Sequence, residues 1–306
     1  MRRSRPGPLV SVIIPCYNQG RFLPEAIRSA AATEFRVEIV VVDDGSTDDT
    51  AAVAADFPHV RTVRQSNRGL SAARNRGLAD STGGFVIFLD ADDRLLPGAI
   101  DTAARVLLTN PDCAMAYGRC VMMGPDGDMW PTPGPPSVRS DHHLALLRTN
   151  VIWMPAMAIF RREPLAAAGG FTTGVDGSAD YDLYLRISRD HRIHDHGQLV
   201  AAYRRHPASM SGNAGRMLRD TLAVMGRNRP QGDPARLEAW RDGFRNWQDF
   251  YGTQLVEEIR LHIRRGESAP AMRKSLVLAR LAPAVFIREL AKKTRLTLVP
   301  RTSPNV

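Results

Sequence analysis

The run Phe85-Val86-Ile87-Phe88-Leu89 stops at three carboxylates, Asp90, Asp92 and Asp93. Five apolar residues in succession, most of them aromatic or β-branched, read as a strand buried on both faces. Such a strand needs helices above and below it, which narrows the chain to the α/β class. It also delivers whatever follows to the edge of a sheet, and in open α/β sheets ligands sit beyond the carboxyl ends of the strands. Three acids crowded there repel one another. A hard divalent cation with oxygen ligands is the economical partner; a solvated turn is the plainer alternative, since Asp also favours turns and caps.

The pattern repeats upstream. Leu9 to Pro15 reads as a first buried strand with Tyr17 and Asn18 at its end. Phe22 to Ala32 has helical spacing, and Val37 to Val42 is a second strand ending in Asp43 and Asp44. Gly45-Ser46-Thr47-Asp48 is turn and cap chemistry leading into a helix through Ala55. A short strand over His59 to Arg64 and a helix over Leu70 to Ala79 precede the Phe85 strand. Strand alternating with helix predicts a mostly parallel, Rossmann-like sheet flanked by helices. There is no Gly-x-Gly-x-x-Gly after a strand and no P-loop. Any phosphate is therefore held by a cation and side chains rather than by a glycine cradle.

Beyond Pro97 a helix is expected to about Asn110, and a strand from Cys113 to Met122. A turn at 124–128 and a Pro-rich loop (Pro125 to Pro136) lead to a helix from Asp141 to Thr149. Ala156 to Arg161 reads as a strand, Glu163 to Ala168 as a short helix closed by Gly169-Gly170. A helix starts near Asp180 with Leu183 and Ile187 on one face, and a last strand runs from Leu199 to Arg204. His191, His194 and His196 lack metal-ligand spacing and read as a surface cluster. From Met217 the chain turns helical. Leu237, Trp240, Phe244, Trp247, Tyr251, Leu255 and Ile259 form a stripe. It reads as packing on the main domain rather than as a cofactor box. The expected division is a catalytic domain over 1–212 and a helical extension over 213–306.

The net charge of +9 suits an anionic partner, whether nucleotide, nucleic acid or acidic membrane, without choosing among them. Three cysteines, Cys16, Cys113 and Cys120, are too few for a disulfide framework and fit buried, reduced thiols. Arg2, Arg3 and Arg5 precede an apolar run that Pro15 ends, with no small-residue cleavage site. That segment reads as a basic tail and first strand of a cytoplasmic protein. The basic end, with Arg288, Lys292, Lys293, Arg295 and Arg301 beside Phe286, Ile287, Leu290, Leu296 and Leu298, reads either as a solvated helix or as a peripheral attachment to the inner face of an anionic membrane.

Taken in order, Val12-Ile13-Ile14-Pro15-x-Tyr17-Asn18, Val40-Val41-Val42-Asp43-Asp44-Gly45-Ser46-Thr47-Asp48, Asn67-x-Gly69-x-x-x-Ala73-Arg74-Asn75 and Leu89-Asp90-Ala91-Asp92-Asp93 resemble the family 2 glycosyltransferases of GT-A fold. The resemblance covers roughly Val10 to Gly212 and implies an inverting enzyme that uses a nucleotide-diphospho-sugar donor and a divalent metal (Mn2+ or Mg2+). It places Asp44 on the nucleobase with Pro15, Tyr17 and Asn18 lining the pocket. It places Asn67, Arg68, Arg74 and Asn75 near the nucleotide, Asp90, Ala91 and Asp92 on ribose and metal, and Asp92 and Asp93 on the metal, joined by His206 at the metal or diphosphate. The family's base is the Asp of a Glu-Asp pair; here the pair is Ala179-Asp180, which keeps Asp180 as the base, with Asp182 in reserve. A glycan or lipid-linked glycan acceptor, of the kind met in polysaccharide and cell-envelope biosynthesis, would be read by the 125–136 loop and residues near Trp153. No nucleic acid partner is expected. Two other classes remain open: a nucleotidyltransferase releasing pyrophosphate, and a non-catalytic binder of anions or nucleotides.

Overall fold

The computed structural model describes residues 7–207 and 209–298, with side chains to 292. The tail arginines 2, 3 and 5, the side chains of Lys293, Arg295, Leu296 and Leu298, and Arg301 lie outside the described residues. In chain order the elements are Val10–Cys16 (β1), Leu23–Ala31 (α1), Val37–Asp43 (β2), Thr50–Ala55 (α2), Arg61–Arg64 (β3), Leu70–Ala79 (α3), Phe85–Phe88 (β4), Arg94–Leu95 (β5), Ala99–Thr109 (α4), Cys113–Met123 (β6), Met129–Trp130 (β7), His142–Arg148 (α5), Ala158–Arg161 (β8), Arg162–Ala167 (α6), Ala179–Asp190 (α7), Arg192–Arg204 (β9), Ala214–Arg227 (α8), Pro234–Arg264 (α9), Ser268–Leu281 (α10) and Pro283–Leu298 (α11). The chain divides into two compact units, 1–209 and 210–306.

Unit 1 is built on one sheet in the order β3-β2-β1-β4-β8-β6-β9-β5, with β7 on β6. The first four strands are all parallel, and β1 registers Cys16 against Asp43 and Ile13 against Phe88. Their carboxyl ends therefore meet along one rim. β8 runs antiparallel to both β4 and β6, whereas β6 and β9 form a long parallel ladder. The runs Val10 to Ile14, Val40 to Val42 and Phe85 to Phe88 are buried throughout, as strands covered on both faces must be. Helix and sheet approach closely at Gly77 of α3, where a β-carbon would stand 2.3 Å from the Ile13 side chain. A small residue is needed there for the helix to lie down.

β9 begins seven residues earlier than its apolar pattern suggests. The stretch His194 to Gln198 is polar and contains Gly197 at φ 69°. His194 and Asp195 pair with Ala116 and Tyr117 of β6, and 196–198 bulge out before pairing resumes with Leu199 opposite Arg119. The two-residue strands β5 and β7 carry no readable period, and Pro155–Met157 is a 3-10 turn, so β8 starts at Ala158 rather than at Ala156. Cys16, Cys113 and Cys120 are buried free thiols.

Unit 2 consists of α8 to α11. Leu218, Leu222, Leu255, Val256, Leu278, Ala282 and Val285 form its core, with Phe244, Trp247, Tyr251 and Ile259 packed against them. The aromatic stripe of α9 is thus met by helices of its own unit. Gly252 makes the crossing possible: a β-carbon there would lie 3.1 Å from Val285 and 3.2 Å from Ala282. Among the described residues no helix is long and apolar enough to cross a membrane.

Candidate active site

The β1–α1 and β2–α2 loops are stitched together at the rim. Asn18, held at φ 53°, accepts from the Thr47 amide (2.8 Å) and gives its own amide to Ser46 Oγ (3.0 Å). Tyr17 beside it stands 48% exposed, while Pro15 is buried in β1 opposite Val42. Asp43 turns inward and accepts from the Ser46 amide (2.8 Å). Asp44 anchors the polar loop ahead of α3. Its Oδ1 accepts from Gln65 Nε2 (2.7 Å) and the Arg68 amide (2.9 Å), and its Oδ2 from the Gly69 amide (2.9 Å). A carboxylate has about four acceptor positions, so one remains on Oδ2. Asn67 and Arg68 are exposed on this loop.

α3 supplies the site's central cation. Arg74 is buried and donates through Nη2 to both oxygens of Asp90, at 2.6 and 2.9 Å. Its guanidinium lies over the Phe171 ring, 5.0 Å from the centroid. Burial works against the charge, but Asp90 and then Asp180 outweigh it and hold the group above its usual range. Asn75, expected near the nucleotide, is used differently. Its Nδ2 donates to the Phe171 carbonyl and its Oδ1 accepts from the Phe171 amide, both at 2.8 Å. It clamps the 170–171 loop and so seats the ring under Arg74. Gly170 is required for that clamp: it sits at φ +67°, and a β-carbon would lie 2.6 Å from Asn75 Oδ1. Asp176, from the same stretch, caps α3 by accepting from the Ser71 amide (3.1 Å) and Ser71 Oγ (2.6 Å).

The acids after β4 take three different paths. Ala91 is buried. Asp90 faces Arg74. Asp92 Oδ2 lies 2.9 Å from His206 Nε2, and burial, then Asp90, push its carboxyl upward against the pull of the histidine. Asp93, expected with Asp92 at a metal, is buried and accepts the Arg204 amide on Oδ1 (2.8 Å). Burial, Asp92 and Asp90 drive its carboxyl well above the usual range. Its Oδ2 is buried without a hydrogen-bond partner among the described residues. Arg204 does the bracing. Its Nε donates to the Asp92 carbonyl (2.7 Å), its Nη1 to Gly124 and Pro125 (3.2 and 2.8 Å), and its Nη2 to Glu25, with the guanidinium over Phe22.

Asp180 stands in the first turn of α7 and accepts from the Tyr181 amide at 2.8 Å. Burial pushes its carboxyl up to about 6, against the pull of Arg74. Asp182 does not share the site. It is buried, accepts from Thr172 Oγ1 (2.6 Å) and pairs with Arg186 one turn on (2.9 Å). Tyr184 escaped sequence reading, although it lies one turn from Asp180. It is wholly buried, stacks on Phe160, and its hydroxyl, without a hydrogen-bond partner, feels Asp180, Arg74 and Asp90. Ala179, where the family pattern has Glu, is buried at the helix start.

Among the described residues no group of three His, Cys, Asp or Glu is arranged to hold a metal ion. Asp92 and His206 nevertheless fit as a partial set: one carboxylate and one imidazole in contact, the ring packed on Phe22 at 5.3 Å and its Nδ1 buried without a partner. Mg2+-type cations are often held by one or two carboxylates, with substrate phosphates and waters completing the shell. Of the three expected surface histidines, His191 is exposed, whereas His194 and His196 line a pocket of about 340 Å³ with His142 and Asp195. Burial lowers His196 to about 4, leaving it neutral.

The model of glycosyl transferase family 2 matches residues 11–168, just over half of the chain's 306 residues, and the chain belongs to that family. Among curated relatives, MT1568 of Mycobacterium tuberculosis (strain CDC 1551 / Oshkosh) is 35% identical over 198 residues, 59% of this chain and 62% of that protein. Chondroitin synthase of Escherichia coli is 28% identical over 192 residues, 59% of this chain and 26% of the synthase. The chain thus spans less than two thirds of either. Among solved structures, S. aureus TarS 1-349 in complex with UDP aligns with a TM-score of 0.61 at 20% identity, covering 90% of this chain and 85% of that one. The mannosyltransferase PcManGT from Pyrobaculum calidifontis, in complex with GDP-Man and Mn2+, aligns at 0.57 and 18%, covering 89% and 85%. These likenesses establish the fold as the GT-A type.

Proposed function

We propose that the chain transfers a glycosyl group from a nucleotide-diphospho-sugar to an acceptor hydroxyl, with inversion. The observation that carries this reading is the charged cluster in which Arg74 pairs with Asp90 and attracts Asp180, while Asp92, in contact with His206, feels the charge of Asp90. The bond from the anomeric carbon to the diphosphate oxygen breaks, and its electron pair leaves with the nucleoside diphosphate. The acceptor oxygen bonds to the same carbon from the opposite face, and its proton passes to Asp180. No nucleophilic protein carboxylate is needed, which suits Asp182 being tied to Arg186.

The remaining acceptor position on Asp44 and the exposed face of Tyr17 suit a nucleobase, by hydrogen bond and by stacking. Asp92 and His206 would hold the divalent metal (Mn2+ or Mg2+), whose positive charge neutralises the diphosphate. Without it, a diphosphate oxygen ~4 Å from a carboxylate would meet a repulsion of ~4 kcal/mol at an effective dielectric of about 20. The acceptor is assigned to a glycan or lipid-linked glycan. Arg204 joins Asp92 to the start of the 124–136 loop, and Trp130 on that loop is 45% exposed, an apolar platform for a sugar ring.

The test is donor binding. A nucleotide sugar bound with Mn2+ is expected to raise the melting temperature by mass action. Asp92→Ala should weaken Mn2+-dependent binding by about tenfold or more, within the range expected when a ligand carboxylate or its support is removed. A donor affinity indifferent to both chelator and this substitution would overturn the metal assignment.

A further inference from the structure

The net charge of the chain is not spread over it. Residues 1–209 hold 23 Lys and Arg against 23 Asp and Glu, whereas residues 210–306 hold 18 against 9. The whole excess of +9 therefore belongs to the helical unit. Exposed large apolar residues concentrate there too: Phe250, Leu261, Ile263, Met272, Leu276, Ile287 and Leu290, against five in the larger unit.

The two features coincide on α10. Ala271 and Leu278 turn into the unit's core with Val277 and Leu281 against it. On the opposite face, Met272 and Leu276 are one turn apart and 63% and 64% exposed. At helical spacing Arg273 and Arg280 border them along one edge, both exposed and without an ion pair among the described residues. On α11, Ile287 is 64% exposed beside Arg288 and Lys292, both exposed and each paired with an acid, Asp249 and Glu289. Single exposed apolar residues are ordinary. An apolar pair backed against the core face and edged by arginines is the pattern of a helix lying in a lipid interface, its cationic ends reaching to the headgroups.

We infer that the outward faces of α10 and α11 dock on a bilayer surface bearing anionic phospholipid headgroups. A basic patch alone would serve nucleic acid as well. The methionine and leucine beside the arginines favour lipid, because phosphate backbones give such side chains nothing to bury against. The inference rests on the helical unit and not on the transfer chemistry of the first unit.

Co-sedimentation of the full chain with phosphatidylcholine vesicles, with and without phosphatidylglycerol, tests it. Binding is expected only to the phosphatidylglycerol vesicles, falling as salt is raised. Arg273→Glu with Arg280→Glu should weaken it at least about 25-fold, since each basic residue near an anionic surface contributes roughly a fivefold factor. Met272→Ser with Leu276→Ser should also release the protein while leaving its circular dichroism unchanged, as both side chains are exposed. The inference is overturned by no vesicle binding, by binding that the serine pair leaves intact, or by duplex DNA displacing the vesicles with the serine pair indifferent. It is equally overturned if the serine pair dissolves a dimer of the chain and vesicles never bind.

Discussion

Asp180→Asn is expected to abolish sugar transfer while the protein keeps its fold and its affinity for donor and metal. The amide has the shape of the carboxyl but cannot accept a proton from the attacking hydroxyl. Removal of a general base costs about 10²–10⁴-fold in rate. Donor binding should persist because Asp90, not Asp180, makes the hydrogen bonds to Arg74. Steady-state release of nucleoside diphosphate, alongside calorimetric donor binding, separates the two. Equal turnover in the variant would remove Asp180 from its role. The same group predicts a pH profile. The base works when deprotonated, and its carboxyl is pushed up to about 6 by burial. Activity should be full well above that value and fall about tenfold per pH unit below it. The kcat/KM profile reports this group in the free enzyme, and a profile flat from pH 8 to about 5 would contradict the assignment.

The second large effect is on stability. Arg74 is 2% exposed, pairs with Asp90 and attracts the charge of Asp180. Arg74→Ala leaves both carboxylates without their cation. Breaking a buried pair this way costs about 3–5 kcal/mol. Asp90 retains 24% side-chain exposure, so water screens part of the loss and the lower end applies. For a domain of this size, about 3 kcal/mol corresponds to a fall in Tm of roughly 10 °C. The loss also has a signature in the site: without the guanidinium the carboxyl of Asp180 rises further, and the acid limb of any residual activity moves to higher pH. Thermal unfolding measures the first effect and the pH profile the second. A Tm change within about 2 °C, equivalent to less than ~1 kcal/mol, would show that solvent already screens these charges.

Much of the site was readable because it follows from strands that end in acids. β1, β2 and β4 are buried apolar runs, and their parallel register brings Tyr17, Asp44 and Asp90 to one rim. What sequence could not supply is the direction of each side chain after the strand stops. Asp92 and Asp93 are adjacent and chemically identical, yet one meets His206 and the other turns to the Arg204 amide. Asn75 looks like a ligand on α3, but Phe171, 96 residues later, occupies both ends of its amide. Asp182 carries its own signal in the sequence: Asp and Arg four apart on a helix form an ordinary pair, and Asp182 with Arg186 does so. β9 starts ahead of its apolar pattern because the polar His194 and Asp195 owe their extended form to the ladder with β6, not to their own composition.

The most direct test follows a nucleotide sugar, an acceptor glycan and Mg2+ by phosphorus and proton NMR with the full chain. The account predicts nucleoside diphosphate appearing one for one with a new glycoside of inverted anomeric configuration. Release of pyrophosphate, or a product that retains the donor's configuration, would contradict it.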